Sequence, residues 1–119
     1  MKLYEVLVPT IYGDTGKPIR TRHHRVWDGR VKKLSGGLTI LSPGRGIWAF
    51  EGVDYIERVI PVRIFCTENI IKQVVDITLQ HYRQKAVMYY VISNECYIVY
   101  ANEKYPHGKD LITQEINDY

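Results

Sequence analysis

Apolar and polar positions alternate from Leu3 to Thr10 (LYEVLVPT). Tyr4, Val6 and Val8 fall on one side and Leu3, Glu5 and Leu7 on the other. That period of two predicts a strand, closed or edged by Pro9. The segment from Tyr12 to Pro18 is rich in turn residues and reads as an exposed loop. A helix is expected to begin near Thr21 to His24. Trp27, Val31 and Leu34 lie at i, i+4 and i+7 along it, forming one apolar stripe, and Gly36-Gly37 supplies its stop.

The stretch from Gly36 to Thr67 organises the rest: two extended runs joined by a turn at Glu51-Gly52. The first is a short strand, Leu38 to Leu41, bent or bulged by Pro43-Gly44-Arg45-Gly46 before Ile47 to Phe50 resumes. In the second, Ile56, Arg58, Ile60, Val62, Ile64 and Cys66 share a nearly apolar face expected to lie under helices. The opposite face (Tyr55, Glu57, Val59, Pro61, Arg63, Phe65) is mixed. Such a face suits a subunit or ligand contact as well as it suits solvent.

Thr67 is placed to cap a second helix running to about Arg83, with Glu68 at the positive end of its dipole. Ile71, Val74, Val75, Thr78 and Tyr82 mark its buried stripe. Lys85 to Ser93 reads as a third long strand, and Cys96 to Ala101 as a short hairpin partner after a turn at Ser93-Asn94-Glu95. The order strand, helix, strand, strand, helix, strand is the split βαβ arrangement of an α+β, ferredoxin-like domain. Two right-handed crossovers put both helices on one face of an antiparallel sheet and leave the other for association. The domain is expected to span residues 1–101, with residues 102–119 as a C-terminal tail or arm.

A chain of 119 residues is one domain with enough surface to bury a core. Its formal charge is only +3, but the distribution is uneven. From Lys17 to Lys33 seven cations stand against Asp28 alone, a segment charge of +6 (seven minus one), leaving −3 for the remainder. The ten tyrosines suit strand faces that are half exposed at contacts. No apolar run is long enough to span a membrane. With no signal-like block at the N-terminus, Cys66 and Cys96 read as reduced thiols in a cytoplasmic protein.

These features favour a binding module for a small anionic ligand of nucleotide size. Arg22, His24, Arg25, Arg45 and Arg63 would supply charge, with Trp48 (or Trp27) stacking on a ring. The competing reading of the basic segment is a solvated helix face. Contiguous nucleic acid is the weaker partner at a net charge of +3 and without a nucleic-acid-binding motif. Ser42 to Gly46 offers an anion-binding nest, against which stands a plain strand bulge. His23 and His24 point about 100° apart on a helix, so no metal site is expected, and no cofactor either. Cys66, just before the second helix, could have its pKa lowered by the dipole, or be a small buried hydrophobe. Glu57 shares a strand face with Arg63, not Arg58, and suits ion pairing at a surface or interface. The alternative is a small enzyme using His24 and Glu57 as an acid–base pair across a subunit cleft. A third reading is a protein-interaction module without a ligand.

Ile47-Trp48-Ala49-Phe50-Glu51-Gly52, followed by the run from Glu57 through Ile64, resembles the long hairpin of CutA proteins. Those are small ferredoxin-like trimers related in architecture to PII signalling proteins, and the shared element order spans Leu3 to Tyr100. The resemblance implies a sheet-lined homo-oligomer, dimer or trimer, with ligand or metal sites at subunit clefts. It provides no catalytic residue, and His23-His24-Arg25 has no counterpart in it. The chain is similar also to small proteins carried by bacteria and their mobile elements, from which no activity follows.

Overall fold

The computed structural model describes residues 1–101. The element order is β1 (Lys2–Pro9), α1 (Thr21–Ser35), β2 (Thr39–Ile40), β3 (Gly44–Phe50), β4 (Val53–Cys66), α2 (Glu68–His81) and β5 (Tyr89–Ser93). The strands form one antiparallel sheet in the order β2-β4-β1-β5, with β3 also paired to β4. Both helices pack on one face, and the fold is the expected ferredoxin-like α+β domain.

Strand β4 is the spine. Its second half pairs with β1, from Lys2↔Cys66 to Pro9↔Val59, while its first half pairs only with β3, from Phe50↔Val53 to Gly44↔Val59. The β3–β4 hairpin therefore projects from the sheet as a two-stranded ribbon of about 23 Å, at 3.3 Å per residue. Its turn has positive φ at both Glu51 (50°) and Gly52 (76°), the two-residue type that matches strand twist.

The core forms where the helices cover the sheet. Tyr4, Val6 and Val8 of β1 meet Val62, Ile64 and Cys66 of β4, roofed by Trp27 and Val31 of α1 and Ile71, Val74 and Tyr82. Trp27 Nε1 donates to Thr78 Oγ1 (3.0 Å), tying the two helices through the centre of the roof. Gly36 ends α1 in the left-handed conformation (φ 88°), and Thr67 caps α2 by accepting from the Ile70 N–H at 3.3 Å.

Several expectations need correction. The irregularity in the first extended run lies earlier than Pro43 to Gly46. Thr39↔Arg63 and Ile40↔Val62 sit in one register and Gly44↔Val59 in another, so residues 41–43 hold one extra residue, a bulge between β2 and β3. Gly44 and Gly46 are strand residues, and neither has the positive φ a nest would need. Ile56 and Arg58 are exposed instead of lying under a helix, because the ribbon extends beyond the roof. The third long strand is only Tyr89–Ser93. Residues 85–88 lie outside it, although the Met88 carbonyl accepts from Leu7 N–H. Residues 96–101 form no strand, and α2 ends at His81. The proposed tail, residues 102–119, lies outside the described residues.

Candidate functional site

Alternation along the strands assigns every side chain of the uncovered sheet face. Leu3, Glu5, Leu7 and Pro9 of β1 share it with Tyr55, Glu57, Val59, Pro61, Arg63 and Phe65 of β4. Register adds Gly46, Trp48 and Phe50 of β3, opposite Glu57, Tyr55 and Val53. Where the ribbon leaves the sheet this face encloses a cavity of about 660 Å³, lined by Leu7, Pro9, Trp48, Tyr55, Glu57 and Val59, among others. That volume lies within the range of small-molecule sites.

Two local features shape the cavity. Gly46 has no side chain, and the Trp48 indole packs over it: a Cβ on Gly46 would lie 3.3 Å from Trp48 Nε1. Buried there, Trp48 Nε1 is the one buried side-chain polar atom without a hydrogen-bond partner among the described residues. A buried donor without an acceptor costs about 1–3 kcal/mol, and with under 1 Å² of accessible surface this N–H meets an oxygen or nitrogen of an occupant only if the indole shifts off Gly46. Among the described residues Glu57 is the single charged side chain in the lining. Together these groups can hold a flat ring between aromatic and aliphatic surfaces and accept from its donors.

Further along the same face runs a polar row. Arg63 Nε donates to Glu5 Oε1 (3.1 Å), and the Tyr90 hydroxyl donates to Glu5 Oε2. The Glu5 carboxylate, as hydrogen-bond acceptor, pushes the Tyr90 pKa up to about 12, so this hydroxyl keeps its proton at physiological pH. Arg63 is thereby anchored through Nε, with 42% of its side chain still exposed.

The residues singled out from the sequence separate into four places. Trp48 and Glu57 line the cavity. Arg63 shares their face but pairs with Glu5, not Glu57. Arg45 stands opposite Arg58 on the other face of the ribbon. Arg22 and Arg25 are exposed on α1, and His24 is half-buried between the helices, where Nδ1 and the Tyr82 hydroxyl share a hydrogen bond of 2.8 Å. Within one chain the sheet separates His24 from Glu57.

Sequence reasoning missed a histidine clasp beside His24. The His23 and His81 rings stack at 3.8 Å, and each Nε2 donates to the other residue's backbone carbonyl (3.0 and 2.8 Å). Burial lowers the pKa of His24 and of His81. Burial raises the pKa of the Cys66 thiol, opposed by the charge of the N-terminal ammonium, and both cysteines are free. Among the described residues no three His, Cys, Asp or Glu side chains converge as metal ligands would, and no helix is long and apolar enough to cross a membrane.

This geometry defines a ferredoxin-like domain with a projecting β-ribbon and an aromatic cavity at its base. No protein-family model matches the chain, and no curated protein matches it either. Solved structures do, and the fold they share is that of the CutA1 divalent cation tolerance proteins. CutA1 from Thermus thermophilus is 10% identical, with 88% of this chain and 90% of that chain covered at a TM-score of 0.57. CutA1 from Oryza sativa is 14% identical, with 87% and 84% covered at 0.57. A phage SAM lyase in complex with S-methyl-5'-thioadenosine is also 14% identical, with 81% and 92% covered at 0.56. At such identities the likeness is one of fold.

Proposed function

We propose that the chain is a homo-oligomeric binding module for a nucleotide-class ligand, bound in the cavity at the base of the ribbon where copies meet. The observation that carries this reading is the cavity itself: an aromatic and aliphatic lining, one carboxylate, and a buried indole N–H without an acceptor. A base stacks against Trp48 and Tyr55, Glu57 accepts from an amino or ribose hydroxyl group, and a small shift of the indole off Gly46 lets a ring nitrogen or carbonyl accept from Trp48 Nε1. Among the described residues the lining contains no cation. A phosphate therefore meets its charge partner in a group such as Arg63, exposed on the same face when a second copy approaches. The phage SAM lyase lends support, since that structure of the same fold holds a nucleoside.

Exposure supports self-association. Phe50 (63%), Tyr55 (50%), Ile47 (56%) and Ile56 (65%) leave large apolar side chains uncovered on both faces of the ribbon. Two strands alone are marginal in water, and such a ribbon needs covering. With its two free thiols the assembly fits the cytoplasm.

Titration with adenosine, S-methyl-5'-thioadenosine, AMP and ATP, read by calorimetry and by tryptophan fluorescence, tests the reading. Trp27 is buried in the core, so ligand quenching reports Trp48 and disappears in Trp48→Leu. Absence of heat and of quenching with all four compounds removes the proposal.

A further inference from the structure

The cavity makes no use of the strongest charge asymmetry in the chain, the seven cations between Lys17 and Lys33, all of them exposed. Their arrangement on α1 is ordered. At 100° per residue, Arg22, Arg25, Arg30, Lys32 and Lys33 fall within an outward arc of about 160°. The same arc holds only Val26 and Gly29 besides. Asp28, the one acid of the helix, is buried on the inward side with Trp27 and Val31. Among the described residues no ion pair reaches any of the five cations: the pairs formed are Arg63–Glu5, Lys72–Glu68 and Arg83–Asp14. From Arg22 to Lys33 the row is about 16 Å long on a rigid rod.

We propose that this face of α1 is a docking surface for the phosphate backbone of double-stranded nucleic acid, read without regard to sequence. A net charge of +3 for the whole chain hides it, because the remainder carries −3 and, among the described residues, no acid forms an ion pair with the face. The composition of the arc selects among polyanions. It carries no aromatic side chain on which unpaired bases could stack, and its tryptophan is turned inward, which disfavours single strands. It has no run of apolar side chains to enter a bilayer, which disfavours a lipid surface. It lacks the aromatic anchors that centre a protein interface, which disfavours an acidic protein. Arginines suited to bidentate phosphate contact, on a helix about as wide as the major groove, remain. The face lies on the side of the sheet opposite the cavity, so it stays outward when copies meet through the uncovered face. An assembly then presents several such helices at once.

The test is fluorescence anisotropy of a labelled, arbitrary-sequence duplex with the full-length protein. Five phosphate contacts give a log–log salt slope of about −4.5, or roughly a 500-fold loss of affinity between about 50 and 200 mM salt. Arg22→Gln/Arg25→Gln/Lys33→Gln should shift the slope to about −2 at unchanged unfolding midpoint. Lys2→Gln/Lys72→Gln/Lys85→Gln, with the same change in charge but off the helix, should leave it near the parent value. The proposal is overturned by any of three results: no binding at about 50 mM salt, equal losses in the two triple variants, or tighter binding to phosphatidylserine vesicles or single strands than to the duplex.

Discussion

Replacing Thr78 with valine isolates the bond that joins the two helices across the core. Thr78 Oγ1 accepts from Trp27 Nε1 (3.0 Å) and donates to the Val74 carbonyl (2.6 Å), and neither Thr78 nor Trp27 is open to solvent. Valine has nearly the same shape, so the chief consequence is an indole N–H buried without an acceptor. That costs about 1–3 kcal/mol. The Val74 carbonyl keeps its helical N–H partner, and the methyl that replaces the hydroxyl returns up to about 0.8 kcal/mol. The net destabilisation is about 1–2 kcal/mol, or a fall in Tm of about 4–8 °C for a domain of this size. Urea unfolding and calorimetry measure it. The decisive control is Trp27→Phe, which removes the donor. In that background Thr78→Val should cost close to nothing, giving a coupling of about 1–2 kcal/mol between the two positions. Equal costs of Thr78→Val in both backgrounds would refute the bond as the cause.

Acid should loosen the helix pair. Burial holds His24 and His81 below their ordinary 6.5, so the unfolded chain binds more protons than the folded one as pH falls below that value. Stability is then flat above 6.5 and declines below it until the folded-state pKa values are passed; a urea midpoint that rises from pH 7.5 to 5.5 reverses the sign and sinks the account. At the ribbon tip Glu51 has φ 50°, a conformation asparagine tolerates better, so Glu51→Asn should raise Tm by a degree or more, and a lower Tm contradicts it. Gly13→Ala drives a Cβ into the Arg83 backbone carbonyl and should destabilise by about 1–3 kcal/mol, against a near-neutral result if the loop simply yields. Phe50→Asp/Ile56→Asp should reduce the mass seen by light scattering to that of one chain with α2 and the core intact. An unchanged mass would place association elsewhere.

Local signals read the fold well because core and period agree. The i, i+4, i+7 stripe of α1 and the capped stripe of α2 are the faces that bury Trp27, Val31, Ile71 and Val74. Failure came where tertiary context decides. Ile56 alternates with Ile60 and Val62 as a core residue should, yet the roof ends before reaching it, and periodicity carries no information on how far a helix extends over a strand. Lys85 to Met88 has strand composition without a strand, since chain leaving α2 must first cross from roof to sheet. For the site, Glu57 was legible as an acid on the mixed face and Trp48 as an aromatic able to stack on a ring. Their neighbours Leu7 and Pro9 were not, because contact between β1 and the base of the ribbon depends on the β1–β4 register, 50 residues apart in sequence (Pro9↔Val59). The arginines and His24 were grouped by charge alone, and the sheet divides them.

Under the proposed function, the ribbon would link assembly to binding in a way that charge and periodicity do not reveal. As part of a lone chain it exposes Phe50 and Tyr55 on the cavity side and Ile47 and Ile56 on the other, a state two strands cannot sustain cheaply. Covering it with another copy removes apolar surface from water and walls the open side of the cavity. A ligand stacked on Trp48 and Tyr55 would then touch a surface that exists in full only in the assembly, and so would bind the assembled form more tightly than the separate chain. Linkage makes this reciprocal: ligand at one hundred times its Kd adds about 2.7 kcal/mol per site to the assembled state. Dilution experiments with and without nucleoside should therefore show the dissociation midpoint moving to lower protein concentration when ligand is present. A midpoint indifferent to a ligand that demonstrably quenches Trp48 would mean that the cavity is complete within one chain and that the ribbon is covered for stability alone.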